Sequence, residues 1–339
     1  MSSAKLQVRP ILLKKPYRLR IKESMNRQTR TQAPWGQANP STVYPAAIYL
    51  KLLLATLFWG GAFVAGRKVK GLDHFAVAFL RFGVASALLL LLTWKIEGKL
   101  PRLSKRQFLS VALLGLTGVA AYNALFFKGL QSIEASRAAL IIATCPAIIT
   151  ISSVIFLKEK INLQKVLGIA ISVFGAVVVI SRGKPSEIFK GGVGLGEFYM
   201  SCCVLSWTAY SLVGKAVMKD LSPIVAVSYS STVGAAMLLI PALGNGMISS
   251  IPDYSGMHWF CIIYLAIFAT VIGFLWYYDA IKCVGPVKAG LFINFVPIFG
   301  VLLAFLILHE RVTLSPAIGA ALVISGVYMT NRNSKARTA

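Results

Sequence analysis

Apolar residues in this chain gather into ten runs, at about 46–66, 74–94, 107–129, 135–157, 162–181, 195–218, 223–243, 257–281, 286–308 and 313–331. Each has roughly the 20 residues that a helix needs to cross about 30 Å of hydrocarbon. The connections between runs are short, so little of the 339 residues is left to build a soluble domain. Only 14% of residues are charged, against about 25% in an ordinary soluble domain. Inside a bilayer every backbone polar group must find its partner within the protein, so such runs fold as helices. The expected fold is an all-α integral membrane protein with ten transmembrane helices.

The formal net charge is +24, but its distribution argues against a nucleic-acid partner. Most Lys and Arg lie in the N-terminal tail or between apolar runs, where they orient helices and face anionic lipid. Residues 1–45 carry nine basic residues against the single acid Glu23. We read this stretch as a basic cytoplasmic tail; an Arg-rich targeting segment and initiation at Met25 are the two other readings. With the N-terminus in the cytoplasm, 24 Lys and Arg fall on that side and nine on the other. The positive-inside rule then places both termini, including the tail 332–339, in the cytoplasm.

Catalytic signatures are missing. There is no GxSxG, P-loop or HExxH, so the chain is not read as an enzyme and no cofactor is expected. Cys145, Cys202, Cys203, Cys261 and Cys283 make no CxxC or ligand pattern; they read as small packing residues. His74, His258 and His309 are scattered singly, so no metal site is expected.

The chain repeats itself. Shifted by 151 residues, Pro146 falls on Pro297, Glu159 on Glu310, Gly168 on Gly319 and Gly175 on Gly326. Shifted by 148, Trp59 falls on Trp207 and Gly66 on Gly214. Each half holds five runs, and an odd number makes the second half enter from the opposite face. The organisation expected is two inverted five-helix repeats, 46–181 and 195–331, an architecture that secondary transporters use. The segment Gly183–Glu197 reads as the linker between them.

These residues carry a resemblance. The stretches "CPAIITISSVIFLKEKINLQKVLGIAISVFGAVVV" and "VPIFGVLLAFLILHERVTLSPAIGAALVISGVYM" resemble the second-half signature of EamA repeats in the drug/metabolite transporter superfamily. "LFWGGAFVAGR" and "FAVAFLRF" resemble the first-half signature. The resemblance covers residues 46–331 and implies ten helices, a central substrate cavity, and export or exchange of small metabolites. The halves differ at Arg81, whose counterpart is Tyr229.

Several side chains stand out against this frame. Pro146 and Pro297 interrupt the fourth and ninth helices and deprive the carbonyls of Ile142 and Ile293 of their usual donors; the freed carbonyls either meet substrate or only shape a kink. Asn123, Thr144 and Asn294 are polar groups within spans, facing either a cavity or a neighbouring helix. Arg81 lies about 10 Å deep in the second helix, where exposure to lipid would cost roughly 2.5 kcal/mol or more; it either binds a substrate carboxylate or pairs within the protein. Trp59, Trp207, Tyr210, Trp276 and Tyr277 either wall a cavity or pack. Asp279, the acid most embedded in a span, is the candidate for carrying a coupling proton, against a local pair with Lys282. Glu310 and Glu159 read as turn-forming, followed by the helix-capping Thr313 and Asn162. Gly168, Gly175, Gly319 and Gly326 are expected to let helices approach closely.

The function expected is secondary transport of small polar or amphipathic metabolites by alternating access. Amino acids or related compounds, exported, are the class that the resemblance implies. An uptake or exchange carrier for a nucleotide-like metabolite such as S-adenosylmethionine is one alternative, and a membrane-embedded receptor or scaffold another. The expected partners are a small-molecule substrate, the lipid bilayer and a coupling proton, with the chain as monomer or dimer. The expected location is a bacterial cytoplasmic (inner) membrane.

Overall fold

Helix ends in this chain are fixed by local side-chain chemistry. Asp73 accepts a hydrogen bond from the Ala76 N–H and starts helix α2 (His74–Glu97), which ends at Gly98 in the left-handed conformation. Ser104 with Gln107, and Ser255 with His258, form reciprocal capping boxes at the starts of two more helices. The computed structural model describes residues 45–157, 163–180, 194–310 and 314–332. These lie in one packing unit, Val43–Ala339, and contain no strand among the described residues. The basic tail 1–44, the linker residues 183–193, Glu159, Asn162 and Thr313 fall outside them.

The remaining helices follow in order. Helix α1 is Pro45–Lys68, before α2. Helix α3, Lys105–Leu130, carries a π-helical segment at Gly115–Ala121. Helix α4 runs as Ala135–Ile142, breaks, and resumes as Cys145–Leu157. Helices α5 (Leu163–Ile180), α6 (Leu195–Val217) and α7 (Pro223–Gly244) are continuous. A helical turn at Met247–Ser250 and a 3-10 turn at Ile251–Asp253 lead into α8, Gly256–Val284, with a π segment at Leu265–Ile272. Helix α9 is assembled from Pro286–Leu291, a 3-10 turn at Phe292–Asn294, and Phe295–Leu308; α10 is Leu314–Arg332.

Seven of these helices are long and apolar enough to cross a bilayer: α1, α2, α3, α4, α7, α8 and α9. Their outer faces carry large apolar side chains such as Phe156, Ile240 and Phe305, which water would disfavour and lipid accommodates. The chain is an integral membrane protein, all-helical among the described residues.

Packing follows a definite pairing. Helix α2 lies against α7, α5 against α10, and α4 against α9. Helix α1 packs on α8 and α9, while α6 packs on α3 and α4. The π segment of α8 meets α2, and that of α3 meets α7. At the last contact, backbones nearly touch: a Cβ on Gly115 would sit 2.8 Å from the Ser230 carbonyl oxygen and 2.9 Å from the Gly234 nitrogen. Glycine is the residue that permits this approach. In α5 and α10, Gly168, Gly175, Gly319 and Gly326 are all buried.

One end of the bundle is fastened by polar side chains. Arg67, at the end of α1, donates to the Leu130 carbonyl at the end of α3 (2.8 Å), and Gln131 donates to the Leu72 carbonyl (3.2 Å). Arg137 of α4 and Glu197 of α6 form a buried ion pair at 2.7 Å. Glu310 follows α9. His309 adopts a left-handed conformation (φ 55), and the Glu310 N–H reaches back to the Ala304 carbonyl. The reversal aims the Glu310 carboxylate at the N-terminus of α4, where its two oxygens accept the N–H groups of Ala135 and Ser136, both at 3.1 Å. Glu134 occupies the cap position itself but makes no side-chain cap bond. The role of Glu310 is therefore to cap a helix 175 residues away in sequence, beyond the turn-forming role expected.

Candidate functional site

Two π segments create the polar centre of the molecule. A π turn widens the helix by one residue, displacing carbonyls from the regular ladder and re-aiming side chains. In α3 the Asn123 Nδ2 donates to the Val119 carbonyl (2.8 Å), within the π segment. This leaves the Asn123 Oδ1 to accept from Arg81 Nη1 at 2.8 Å. In α8 the Thr270 hydroxyl donates to the Leu265 carbonyl and accepts from Arg81 Nε at 2.8 Å. The same π segment presents the Ala269 carbonyl to the Trp59 indole N–H at 2.9 Å. The Arg81 guanidinium is thus held from α3 and α8 while 4% exposed, and its Cζ lies 5.0 Å from the Phe82 ring centroid.

Arg81 opens onto a partly enclosed cavity whose empty space, open mouth included, is about 460 Å³. Helix α1 contributes Trp59, Ala62 and Phe63, α3 contributes Tyr122 and Phe126, and α6 and α8 contribute Trp207 and Phe274. Ile142 and Ile293 line it from the breaks in α4 and α9, joined by Val296. Trp59 and Trp207, equivalent under the 148-residue shift, meet edge to face with centroids 5.4 Å apart. Trp207 is ringed further by Tyr122 and Phe274, each with its centroid 5.4 Å away.

Of the residues expected at a site, Trp59, Arg81 and Trp207 line the cavity and Asn123 positions Arg81. Tyr210 and Tyr277 lie behind the wall: both are fully buried, and Tyr277 packs on both tryptophans and pairs with the Ser211 hydroxyl. Trp276 turns away toward Phe58, because successive residues of a helix point about 100° apart. Asn294 ends the 3-10 turn of α9 beside Ile293, outside the lining, and Thr144 bonds its own backbone at Ile141. Pro146 and Pro297 begin the second segments of α4 and α9; Pro297 faces a lateral apolar groove with Ala317 and Ala320 of α10, and the residues facing the cavity are Ile142 and Ile293.

Asp279 lies near the far end of α8, also outside the cavity lining. Its ion-pair partner is Lys51 of α1 at 3.9 Å, with both side chains about half exposed, rather than Lys282. Tyr229, the counterpart of Arg81, donates its hydroxyl to the Pro101 carbonyl at the edge of the bundle. The cavity therefore has one cation on one side. Thr270, Phe274 and Tyr122 were missed by sequence reasoning; a threonine and two aromatics in apolar runs carry no signal until the π turn fixes their direction.

A family model described as the EamA-like transporter family matches residues 46–181 and again 194–332. The chain belongs to this family. It is 30% identical over 281 residues to an uncharacterised transporter, YyaM, of Bacillus subtilis, covering 83% of this chain and 92% of that one. It is 27% identical over 291 residues to a probable terminal-alkyne amino-acid exporter of Streptantibioticus cattleyicolor, covering 84% of this chain and 94% of that protein. A solved crystal structure of a protein 19% identical superposes with a TM-score of 0.65, covering 86% of this chain and all of that one. The protein is a membrane transporter acting on a small molecule across a lipid bilayer.

Proposed function

We propose that the chain is a secondary transporter in which two inverted five-helix repeats, 46–181 and 195–331, give ten transmembrane helices. It works by alternating access and exports amino acids or related small amphipathic metabolites. Exchanging α1–α5 with α6–α10 maps the packing pairs onto one another: α1 on α8 and α9 becomes α6 on α3 and α4, while α2–α7, α4–α9 and α5–α10 map onto themselves. The π segments at Gly115–Ala121 and Leu265–Ile272 fall at equivalent places, as do the breaks in α4 and α9. These correspondences support the duplication, and inverted repeats provide two related arrangements of one fold. The name of the Streptantibioticus relative supports the substrate class and direction.

The observation that carries the reading is Arg81: a guanidinium 4% exposed, bonded to neutral groups, on the wall of a central aromatic cavity. An ionisable residue inside the membrane that faces a cavity is a functional-site candidate by default. The end carrying the Arg137–Glu197 pair and the Glu310 cap is tied together by these contacts. At the other end the Lys51–Asp279 contact is long and half exposed, and we assign the coupling proton to Asp279. Both termini lie in the cytoplasm of a bacterial cell, with the protein in the cytoplasmic membrane. Counterflow of a labelled metabolite library in proteoliposomes tests the function: accumulation of one compound supports it, and no accumulation by folded protein overturns it.

A further inference from the structure

The cavity's chemistry narrows the ligand class. Arg81 is the one charged residue on its wall. A guanidinium has five N–H groups; Thr270 and Asn123 take one each, at 2.8 Å, so three have no acceptor among the described residues. Both acceptors are neutral, and Asn123 is locked in orientation by its own bond to the Val119 carbonyl. The carboxylates among the described residues that lie within 4.0 Å of a basic side chain meet Lys51, His74 and Arg137; none meets Arg81. A buried cation without a counter-charge is strongly disfavoured, and a carboxylate matches the planar fork of a guanidinium in charge and shape.

The rest of the wall is the opposite in character. Trp59, Phe63, Phe126, Trp207 and Phe274 present aromatic rings, and no carboxylate stands among the lining residues. A second carboxylate on the ligand would meet no second cation, and an ammonium would meet no acid. Each would lose its water without gaining an opposite charge from the wall.

We propose, building on the transporter reading above, that the ligand is an apolar monocarboxylate lacking an ammonium group. Its carboxylate lies on Arg81 and its flat body on the Trp59–Trp207 pair. Within amino acids and related compounds, this selects the deaminated, arylalkanoic type over the amino acids themselves. Because the second half supplies Tyr229 at the bundle edge, the ligand is held in one orientation throughout the cycle.

The test is binding to the purified full-length chain in detergent, read by tryptophan fluorescence, since Trp59 and Trp207 line the cavity. The probes are 3-phenylpropionate, phenylalanine, phenethylamine and phenylsuccinate. The expected result is saturable quenching by 3-phenylpropionate, at least about tenfold weaker binding of phenylalanine and phenylsuccinate, and none of phenethylamine. Arg81→Gln should weaken 3-phenylpropionate by roughly 10- to 100-fold, the range for a hydrogen bond to a charged group. Phenylalanine or phenethylamine binding as tightly as 3-phenylpropionate overturns the proposal; so does absence of binding by all four probes to cooperatively melting protein. This series needs no variant to fold. The selectivity found without any counterflow supports the ligand class and overturns transport alone. Counterflow of another class, not competed by 3-phenylpropionate, overturns the ligand class and leaves transport standing.

Discussion

Replacing Glu310 by Gln or Ala should loosen the end of the bundle that it fastens. The carboxylate accepts two N–H groups from the first turn of α4, both at 3.1 Å. Removing an N-cap costs about 0.5–2 kcal/mol, and a negative charge at a helix N-terminus adds about 0.3–1 kcal/mol. Glu310 is partly exposed, which places the sum near the middle of the range, about 2 kcal/mol for Ala. Gln keeps an acceptor but loses the charge and one of the two matched oxygens, so about half of that is expected. A suitable reporter is Ser136, 8% exposed, converted to Cys in a background stripped of the other cysteines. If opening exposes it, 2 kcal/mol raises the maleimide labelling rate about 30-fold by RT ln K. The parent should label slowly, Glu310→Gln faster and Glu310→Ala fastest, with a lowered melting temperature in the same order. Equal labelling rates and equal melting temperatures across the series would refute the cap as a latch.

Further predictions rest on other contacts. Arg137→Gln takes from the buried Glu197 carboxylate the guanidinium that it pairs with at 2.7 Å and should destabilise by about 3–5 kcal/mol, read as a melting shift. Gly118→Ala drives a methyl group into the Tyr210 ring behind the cavity; overpacking of this kind costs about 1–3 kcal/mol, read as a melting shift. Asp279→Asn should abolish pH-driven counterflow while leaving exchange at equal pH intact; unchanged pH-driven flux removes Asp279 from coupling.

The spans were legible because length and hydropathy are additive along the chain. Each of the seven bilayer-length helices lies within three residues of the apolar run that predicts it. Cavity-lining residues were legible only where a feature was rare: a charge in an apolar run singled out Arg81, and equivalence between halves singled out Trp59 and Trp207. The rest depended on side-chain direction, which π turns alter without a composition signal. Thr270 faces Arg81 because of the π segment Leu265–Ile272. Trp276 and Tyr210, by the same aromatic criterion as Trp207, are aimed elsewhere. Glu310 was noticed for its place in the repeat, yet its partners Ala135 and Ser136 emerge only when α9 and α4 are brought together.

The central claim, that a transported ligand meets Arg81 inside the bundle, is tested most directly by counterflow in proteoliposomes carrying the parent chain or Arg81→Gln. Labelled compounds from an arylalkanoate and amino-acid panel are offered outside, with unlabelled compound inside. The parent should accumulate at least one label transiently, and Arg81→Gln, reconstituted to the same folded fraction, should not. Equal accumulation by the two proteins would contradict the claim.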